Sequence, residues 1–221
     1  MLKQNAVRPV VKAIPEPVLR RLPVYYQYLR KINLEQSGEY ISCARIAEDL
    51  NTLAIQVRKD MAITGAAGKP KLGYPIRELI KAIEIFLGWN NTSEAYLVGA
   101  GNLGSALLGY QGFKDYGLNI VAAFDASPDK VGEEIYGKKV LPVKKLPEMI
   151  RRMGIKIGIL TAPASCAQEL ADIMVNSGVK AIWNFAPVKI SVPEGIIVQH
   201  ENLASSLAVL SKRLALLLAE R

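Results

Sequence analysis

Three glycines in the spacing G-x-G-x-x-G stand between a short apolar run and a segment with helical periodicity. The run Ala95–Val98 precedes Gly99, Gly101 and Gly104, and Ser105 begins the helical segment. In such a loop the first glycine permits a tight turn, the second lets a pyrophosphate approach the backbone, and the third lets helix and strand pack closely. Free N–H groups at the start of the helix bind the phosphates. The spacing predicts a dinucleotide site composed of Gly99, Ala100, Gly101, Asn102, Leu103 and Gly104.

An aspartate follows at the end of the next apolar run, "NIVAAFD". Asp125 stands 26 residues after Gly99, about where an acidic residue binds the hydroxyls of the adenosine ribose. A carboxylate there repels a 2′-phosphate, so the sequence predicts NAD+ or NADH as the cofactor. The alternative is a structural strand–turn–helix in which the aspartate is incidental.

Groups that could perform catalysis are scarce in this chain. A dehydrogenase needs a proton donor or acceptor near the nicotinamide, and the single histidine, His200, comes just before the final helical segment. No spacing of metal-ligating residues is recognisable, and Cys43 and Cys166 are too far apart in sequence to indicate a metal knuckle or a disulfide framework. These observations disfavour an enzyme and a metal site.

The net charge of +8 is concentrated in the first two-fifths of the chain. Residues 1–88 contain 14 Lys and Arg against eight Asp and Glu, whereas residues 89–221 contain 14 against 12. Such a surplus indicates a polyanionic partner. No apolar run approaches the roughly 18 residues of a membrane span, and the first residues lack an apolar secretion signal. We therefore expect a cytoplasmic protein without a membrane partner.

The segment "YISCARIAEDLNTLAIQVRKDM", residues 40–61, has the pattern of two short helices joined by a tight turn. Ser42 and Thr52 are candidate N-caps. A basic, glycine-rich stretch follows at residues 65–76 and is typical of a wing. A helix–turn–helix of this kind places its second helix in the DNA major groove. In that second helix we expect Leu53, Ile55, Val57 and Met61 to face inward, and Gln56, Arg58, Lys59 and Asp60 to face outward.

The basic side chains of this segment predict the contacts with double-stranded DNA. Arg58 and Lys59 are candidates for base edges in the major groove, and Gln56 could pair with adenine. Arg45, Lys69 and Lys71 would more naturally meet phosphates. The alternative is a small helical interaction module without a nucleic-acid ligand.

Apolar runs and helical segments alternate after residue 94. The runs are "AYLVG", "NIVAAFD", "KIGILTAP", "KAIWNFAP" and "GIIVQH", a pattern that predicts an α/β fold with a doubly wound parallel sheet. A leucine-rich helix closes the chain. The predicted domains are a winged helix at residues 1–88, a Rossmann domain at 89–200 and a C-terminal dimerisation helix at 201–221.

The chain resembles the Rex family of redox-sensing transcriptional repressors from residue 14 onward. The resemblance rests on "IPEPVLRRLPVYYQYL", "VRKDM", "GAAGKPKLGY", "GAGNLGSALLGYQGF", "FDASPDKVG", "ILTAPA", "WNFAPVKISVP" and "HENLASSL", which follow one another in the family's order. It implies a homodimer in which the C-terminal helix is swapped onto the partner. It also implies that NADH releases the protein from operator DNA, whereas NAD+ is compatible with binding.

The resemblance further implies roles for individual residues. Lys130, in "FDASPDKVG", would join the cofactor site. Tyr110 would act in the switch near the nicotinamide, and Arg21 would pair with an acidic residue of the swapped segment. The nicotinamide end would be lined by Thr161, Ala162, Pro163, Asn184, Phe185 and Ala186.

Two segments depart from the family pattern. Asn202 replaces the expected aspartate of the swapped segment, so an exchange of ion pairs with Arg21 would lose its charge. Thr64 stands where an aromatic residue is usual, and the wing carries Lys69-Pro70-Lys71.

The sequence favours an NADH-sensing repressor over an NAD-dependent oxidoreductase with an N-terminal assembly domain, and over a CoA- or nucleotide-binding module that acts through protein partners.

Overall fold

The computed structural model describes residues 14–35 and 39–219. The chain forms two compact units, which divide after Asn90. Among the described residues, no helix is long and apolar enough to cross a membrane.

The described part of the first unit, residues 14–35 and 39–90, contains four helices and one short hairpin. Its elements are α1 Glu16–Glu35, β1 Tyr40–Ile41, α2 Cys43–Asp49, α3 Ala54–Ile63, β2 Tyr74–Pro75 and α4 Ile76–Leu87. β1 pairs antiparallel with β2, and the bridge between Lys69 and Gly73 closes the tip of the wing. The unit is the winged helix–turn–helix that the sequence predicts.

Local signals and a small apolar core define these elements. Ser42 caps α2 as expected, because its side chain accepts a hydrogen bond from the Arg45 N–H. Gly88, in the left-handed conformation, ends α4. The core includes the fully buried side chains Leu22, Leu29, Ile46, Met61, Leu79 and Ile83.

The orientation of α3 differs from the sequence-based expectation. Val57 and Met61 are buried as expected, but Leu53 is 70% exposed and Ile55 is 61% exposed. Asp60, expected outside, is fully buried. Leu53, not Thr52, is the N-cap residue, and it makes no side-chain capping bond. The inward face is therefore the row of Val57, Asp60 and Met61, spaced three and four residues apart.

The second unit is a parallel sheet flanked by helices. Its elements are β3 Ser93–Val98, α5 Asn102–Gly109, β4 Leu118–Asp125, β5 Glu134–Ile135, β6 Lys138–Pro142, α6 Leu146–Met153, β7 Ile157–Leu160, α7 Ala164–Ser177, β8 Ala181–Asn184, β9 Ile197–His200 and α8 Leu203–Ala219. A 3-10 helix at Gln111–Tyr116 follows α5.

The strand order is β5-β6-β4-β3-β7-β8-β9, and only β5 is antiparallel to its neighbour. The six parallel strands thus have the doubly wound Rossmann order, with the topological switch between β3 and β7. The predicted α/β fold is confirmed. The β5–β6 hairpin was not predicted, because its strands have only two and five residues and include two lysines.

Two apolar layers cover the faces of this sheet. Tyr96, Phe124 and Leu160 belong to the layer that includes residues of α6 and α7. Leu97 and Ile159 belong to the other layer, which includes residues of α5. Alternating residues of one strand therefore enter opposite layers. This packing holds the ends of β3, β4 and β7 in place, where the glycine loop and Asp125 lie.

Candidate cofactor cradle and nucleic-acid interface

The glycine loop makes its tight turn directly after β3. Gly99 has a φ of +106°, and its N–H donates to the Phe124 carbonyl at 2.8 Å. A Cβ on Gly99 would lie 2.9 Å from backbone atoms of Thr161 and Ala162. Both the backbone conformation and the close approach of the segment that follows β7 therefore require glycine.

The other two glycines have different reasons to lack a side chain. A Cβ on Gly104 would lie 1.9 Å from the Gly99 carbonyl oxygen, so α5 could not pack against the loop. A Cβ on Gly101 would meet no atom within 4 Å. Gly101 is the N-cap residue of α5 and no side chain caps the helix. The free N–H groups and open space at this end suit a pyrophosphate.

Asp125 lies beside this loop at the end of β4. Its carboxylate accepts a hydrogen bond from the Ala100 N–H at 2.6 Å and another from the Ser127 N–H at 2.8 Å. The two bonds fix the carboxylate next to the cradle, at the position predicted for the ribose. The turn that follows contains Lys130, which forms an ion pair with Glu133 at 3.2 Å.

A cavity of about 230 Å³ opens between Gly99 and Asp125 on one side and α7 on the other. Its walls are mostly apolar, as in sites for flat heteroaromatic rings. It brings together the glycine loop, the ribose candidate and the predicted Ala162 and Pro163. The remaining lining residues are Val98, Ala126, Val143, Cys166, Glu169, Leu170 and Ile173.

The side chains of two predicted nicotinamide-end residues, Thr161 and Asn184, form hydrogen bonds within the protein. The Thr161 hydroxyl donates to the Gly99 carbonyl at 2.6 Å. Asn184 is fully buried; its amide donates to the Val188 carbonyl and to His200 Nδ1, and it accepts from the Ala186 N–H. Because an amide N–H only donates, His200 Nδ1 is the acceptor in this contact.

Phe185 and Ala186 line a second cavity, of about 520 Å³, together with His200, Glu201 and Asn202. Asn202 also caps α8, since its side-chain oxygen accepts from the Ser205 N–H at 3.2 Å. Asparagine and aspartate are equally good N-caps. Asn202, at the position where the resemblance implies an aspartate, therefore caps the start of α8 without a charge.

Aromatic contacts connect Tyr110 to this second cavity. The ring of Tyr110 is 4.9 Å from that of Phe113, which is 5.7 Å from Trp183, which is 4.8 Å from Phe185. Tyr110 itself is 52% exposed. The predicted switch tyrosine thus lies at the open end of a continuous aromatic row.

The candidate DNA-binding surface is a groove of about 490 Å³ between the start of α2, α3 and the wing. It is lined by three of the predicted residues, Arg58, Lys69 and Lys71. Lys69 also donates to the Tyr40 hydroxyl. Lys59 is exposed on α3, whereas the Arg45 guanidinium is 2.7 Å from the Asp49 carboxylate.

A buried charge network lies on the opposite side of α3. Asp60 accepts two hydrogen bonds from Arg21 at 2.7 and 2.9 Å, one from Tyr25 at 3.0 Å and one from Gln56 at 2.9 Å. Burial alone would raise the pKa of Asp60, but these hydrogen bonds and the Arg21 charge hold it below its ordinary value. Burial and the bond to Asp60 raise the pKa of Tyr25 to about 12.

Sequence reasoning missed Asp60 as a partner of Arg21, although the signal was present. Asp60 stands three residues after Val57 and directly before Met61, so it shares their helix face. The Gln56 amide, which the sequence suggested could pair with adenine, donates a hydrogen bond to the Asp60 carboxylate.

Within residues 14–35 and 39–219, no group of three or more His, Cys, Asp and Glu side chains is arranged to hold a metal ion. Burial raises the pKa of the Cys43 thiol, although Arg58 opposes this shift.

Comparisons with known proteins give matches to each unit and to most of the chain. A family model described as a CoA binding domain matches residues 90–188, and one described as a putative DNA-binding protein N-terminus matches residues 13–62. The redox-sensing transcriptional repressor Rex of Treponema denticola is 50% identical over 88% of this chain and 92% of its own length. The chain belongs to the Rex family.

Other members of the family agree. The Rex of Bacteroides fragilis is 42% identical, and the match covers 91% of each chain. Among solved structures, the Rex-family repressor RSP in complex with β-NAD+ and operator DNA is 36% identical, with a TM-score of 0.86 over 91% of this chain and 93% of that chain. RSP in complex with β-NADH gives a TM-score of 0.81 at the same identity, over 91% and 94% of the two chains.

Membership in the Rex family decides between the alternatives left by the sequence. Rex proteins are transcriptional repressors, so the oxidoreductase reading is set aside. Of the switch residues inferred from the resemblance, Tyr110 and Asn202 belong to the second unit and Arg21 to the first. Arg21 is bonded to Asp60 within the first unit. The pairing of Arg21 that the resemblance implies would have to share or replace that bond.

Proposed function

We propose that this protein represses transcription by binding double-stranded operator DNA through its winged helix, and that NADH bound to the Rossmann unit releases it. One observation carries the proposal: a single chain contains both a groove lined by Arg58, Lys69 and Lys71 and a glycine cradle with Asp125 beside it. The similar protein RSP has been crystallised with NAD+ and operator DNA, and with NADH.

The cofactor would lie along the carboxyl ends of the strands. Its pyrophosphate would meet the N–H groups at the start of α5, its adenosine ribose would bind Asp125, and its adenine would fill the apolar cavity near α7. Ala162 and Pro163, expected from the sequence at the nicotinamide end, line this cavity and would contact the adenine end in this arrangement. The nicotinamide would then point toward Phe185, Ala186 and Tyr110. The oxidation state of the bound cofactor would act as the signal. The residues of the cradle would hold the cofactor in place, and the winged helix would respond by binding or releasing the operator.

On the DNA side, Arg58 and Lys59 would contact base edges, and Lys69 and Lys71 would contact phosphates. Arg45 and Gln56 can contribute only if they leave or share their bonds with Asp49 and Asp60. No metal ion has a part in this proposal, and the protein would act in the cytoplasm, where its operators are.

A homodimer completes the proposal. The leucines of α8 are 52–63% exposed at Leu207, Leu210, Leu214, Leu217 and Leu218. A helix with so much exposed apolar surface favours a partner surface, and the resemblance implies that a second copy provides it. Deletion of residues 203–221 should convert the dimer to a monomer in analytical ultracentrifugation; a truncated protein that stays dimeric at micromolar concentration would refute the swap.

The central test is operator binding with each cofactor titrated separately at fixed salt. A ligand shifts an equilibrium only by its difference in affinity for the two states, so NADH should weaken operator binding far more than NAD+ does. Salt must be held constant because phosphate contacts make DNA affinity strongly salt-dependent. Equal operator affinity at saturating NADH and saturating NAD+ would disprove the switch.

A further inference from the structure

One exposed face of α3 combines charge with apolar surface. Ile55, Arg58 and Lys59 are spaced three and four residues apart, so they lie on the same face of the helix. This face is opposite the buried row of Val57 and Asp60, and all three of its residues are exposed. The cations are those proposed to contact DNA, but Ile55 has no evident use there.

The exposure of Ile55 is not explained by packing within the unit. Its side chain is 61% exposed, and the neighbouring Leu53 is 70% exposed. Both stand at the start of α3, where Leu53 is the N-cap residue and Ile55 the second residue of the helix. Recognition helices contact base edges mainly with their N-terminal residues.

We propose that Ile55 contacts the C5-methyl group of a thymine in the major groove, and so sets the preference of the operator at one T·A pair. The proposal rests on the proposed DNA-binding function of α3. The thymine methyl is the one apolar group among the major-groove edges of the four bases. A β-branched side chain in a helix is held mainly in one rotamer, so Ile55 meets the groove with a fixed shape.

The position of this thymine follows from helix and DNA geometry. Residues three apart in a helix have Cβ atoms about 5–6 Å apart, and successive base pairs are about 3.4 Å apart. The thymine read by Ile55 should therefore lie within about two base pairs of the base pair read by Arg58.

The test uses duplexes that the full-length protein selects from a randomised pool. In the preferred duplex each thymine is replaced singly by deoxyuridine, which removes the methyl group and keeps every hydrogen-bonding atom. Wild-type affinity should fall about fourfold at one position, the value of one buried methyl-sized group. That position should lie within two base pairs of the pair at which Arg58→Ala loses its base preference.

Two variants identify the residue responsible. Ile55→Ala should bind the thymine duplex more weakly and be insensitive to deoxyuridine at that position, while Ile55→Val should retain part of the sensitivity. Ile85→Ala is the matched control, since Ile85 is 54% exposed on α4 and should keep both the affinity and the sensitivity of the wild type. Circular dichroism checks that each variant is folded.

The outcomes separate the two proposals. If no thymine shows a methyl effect, or if Ile55→Ala keeps the full effect, the role of Ile55 is wrong although the protein binds its operator. If the wild type selects no duplex at all, the proposed DNA-binding function fails, and the role of Ile55 fails with it.

Discussion

The buried carboxylate of Asp60 provides a direct test of what holds the winged helix together. In Asp60→Asn the volume of the side chain is kept, but one acceptor oxygen becomes an NH₂ group. That NH₂ would face donors from Arg21, Tyr25 or Gln56, all of which bond to the carboxylate in the structure. The contact that joins α1 to α3 would therefore be broken in part.

The expected loss follows from the burial of these groups. Leaving a buried donor without an acceptor costs about 1–3 kcal/mol, and breaking a buried ion pair costs about 3–5 kcal/mol. The Arg21 side chain is 31% exposed, so water can satisfy part of its guanidinium. We therefore expect Asp60→Asn to lower the free energy of unfolding of the first unit by about 2–4 kcal/mol.

The pH dependence should change as well. Because the folded-state pKa of Asp60 lies below its ordinary value of 3.8, its contribution to stability is complete above that value. The contribution is lost as the pH falls through the lowered folded-state pKa. Wild-type stability should therefore fall on acidification below about pH 4, and Asp60→Asn should reduce this slope.

The two tryptophans make the first unit separately visible. Trp89 lies in the first unit, where its ring contacts Tyr26, and Trp183 lies in the second. In a Trp183→Phe background, urea unfolding followed by fluorescence reports the first unit alone.

Asp49→Asn is the matched control for Asp60→Asn. Asp49 also accepts hydrogen bonds from an arginine and a tyrosine, but at the protein surface, where such pairs contribute little. The network would be refuted as the main link between α1 and α3 if both variants changed the stability equally, or if Asp60→Asn cost less than about 1 kcal/mol.

Four further substitutions test the cradle and the groove. Gly104→Ala should destabilise the second unit in thermal unfolding, because its Cβ would lie 1.9 Å from a carbonyl oxygen, whereas Gly101→Ala should fold normally and lose NADH affinity in fluorescence titration, because it fills the open space at the start of α5. Equal stability of these two variants would contradict the packing argument. Asp125→Asn should raise NADPH affinity relative to NADH, since it removes the charge that repels a 2′-phosphate; an unchanged ratio would remove Asp125 from the ribose site. Arg58→Ala should weaken specific operator binding by about 1–3 kcal/mol, and an operator affinity equal to that of the wild type would exclude Arg58 as a base contact.

The sequence by itself determined the features that depend on local spacing. The G-x-G-x-x-G loop lies between a strand and a helix, and Asp125 lies at the end of the next strand. Both features are recognisable from the order and spacing of residues along the chain. Their chemistry could therefore be predicted before the sheet was known. The same holds for the Ser42 cap and the leucine-rich last helix, because helix periodicity and capping are properties of neighbouring residues.

Only the tertiary structure decided which way α3 faces. Isoleucine and leucine at its start predicted an inward side, but α1 presents Arg21 and Tyr25 to that helix. Their donors make a buried Asp60 favourable and leave Ile55 exposed. The sequence contains all four residues, yet the match between donors on α1 and an acceptor 39 positions later depends on how the helices pack. Which face of α3 is buried depends on the neighbouring helix as well as on apolar periodicity, because donors on α1 make burial of the Asp60 carboxylate possible. That neighbour is known only from the fold.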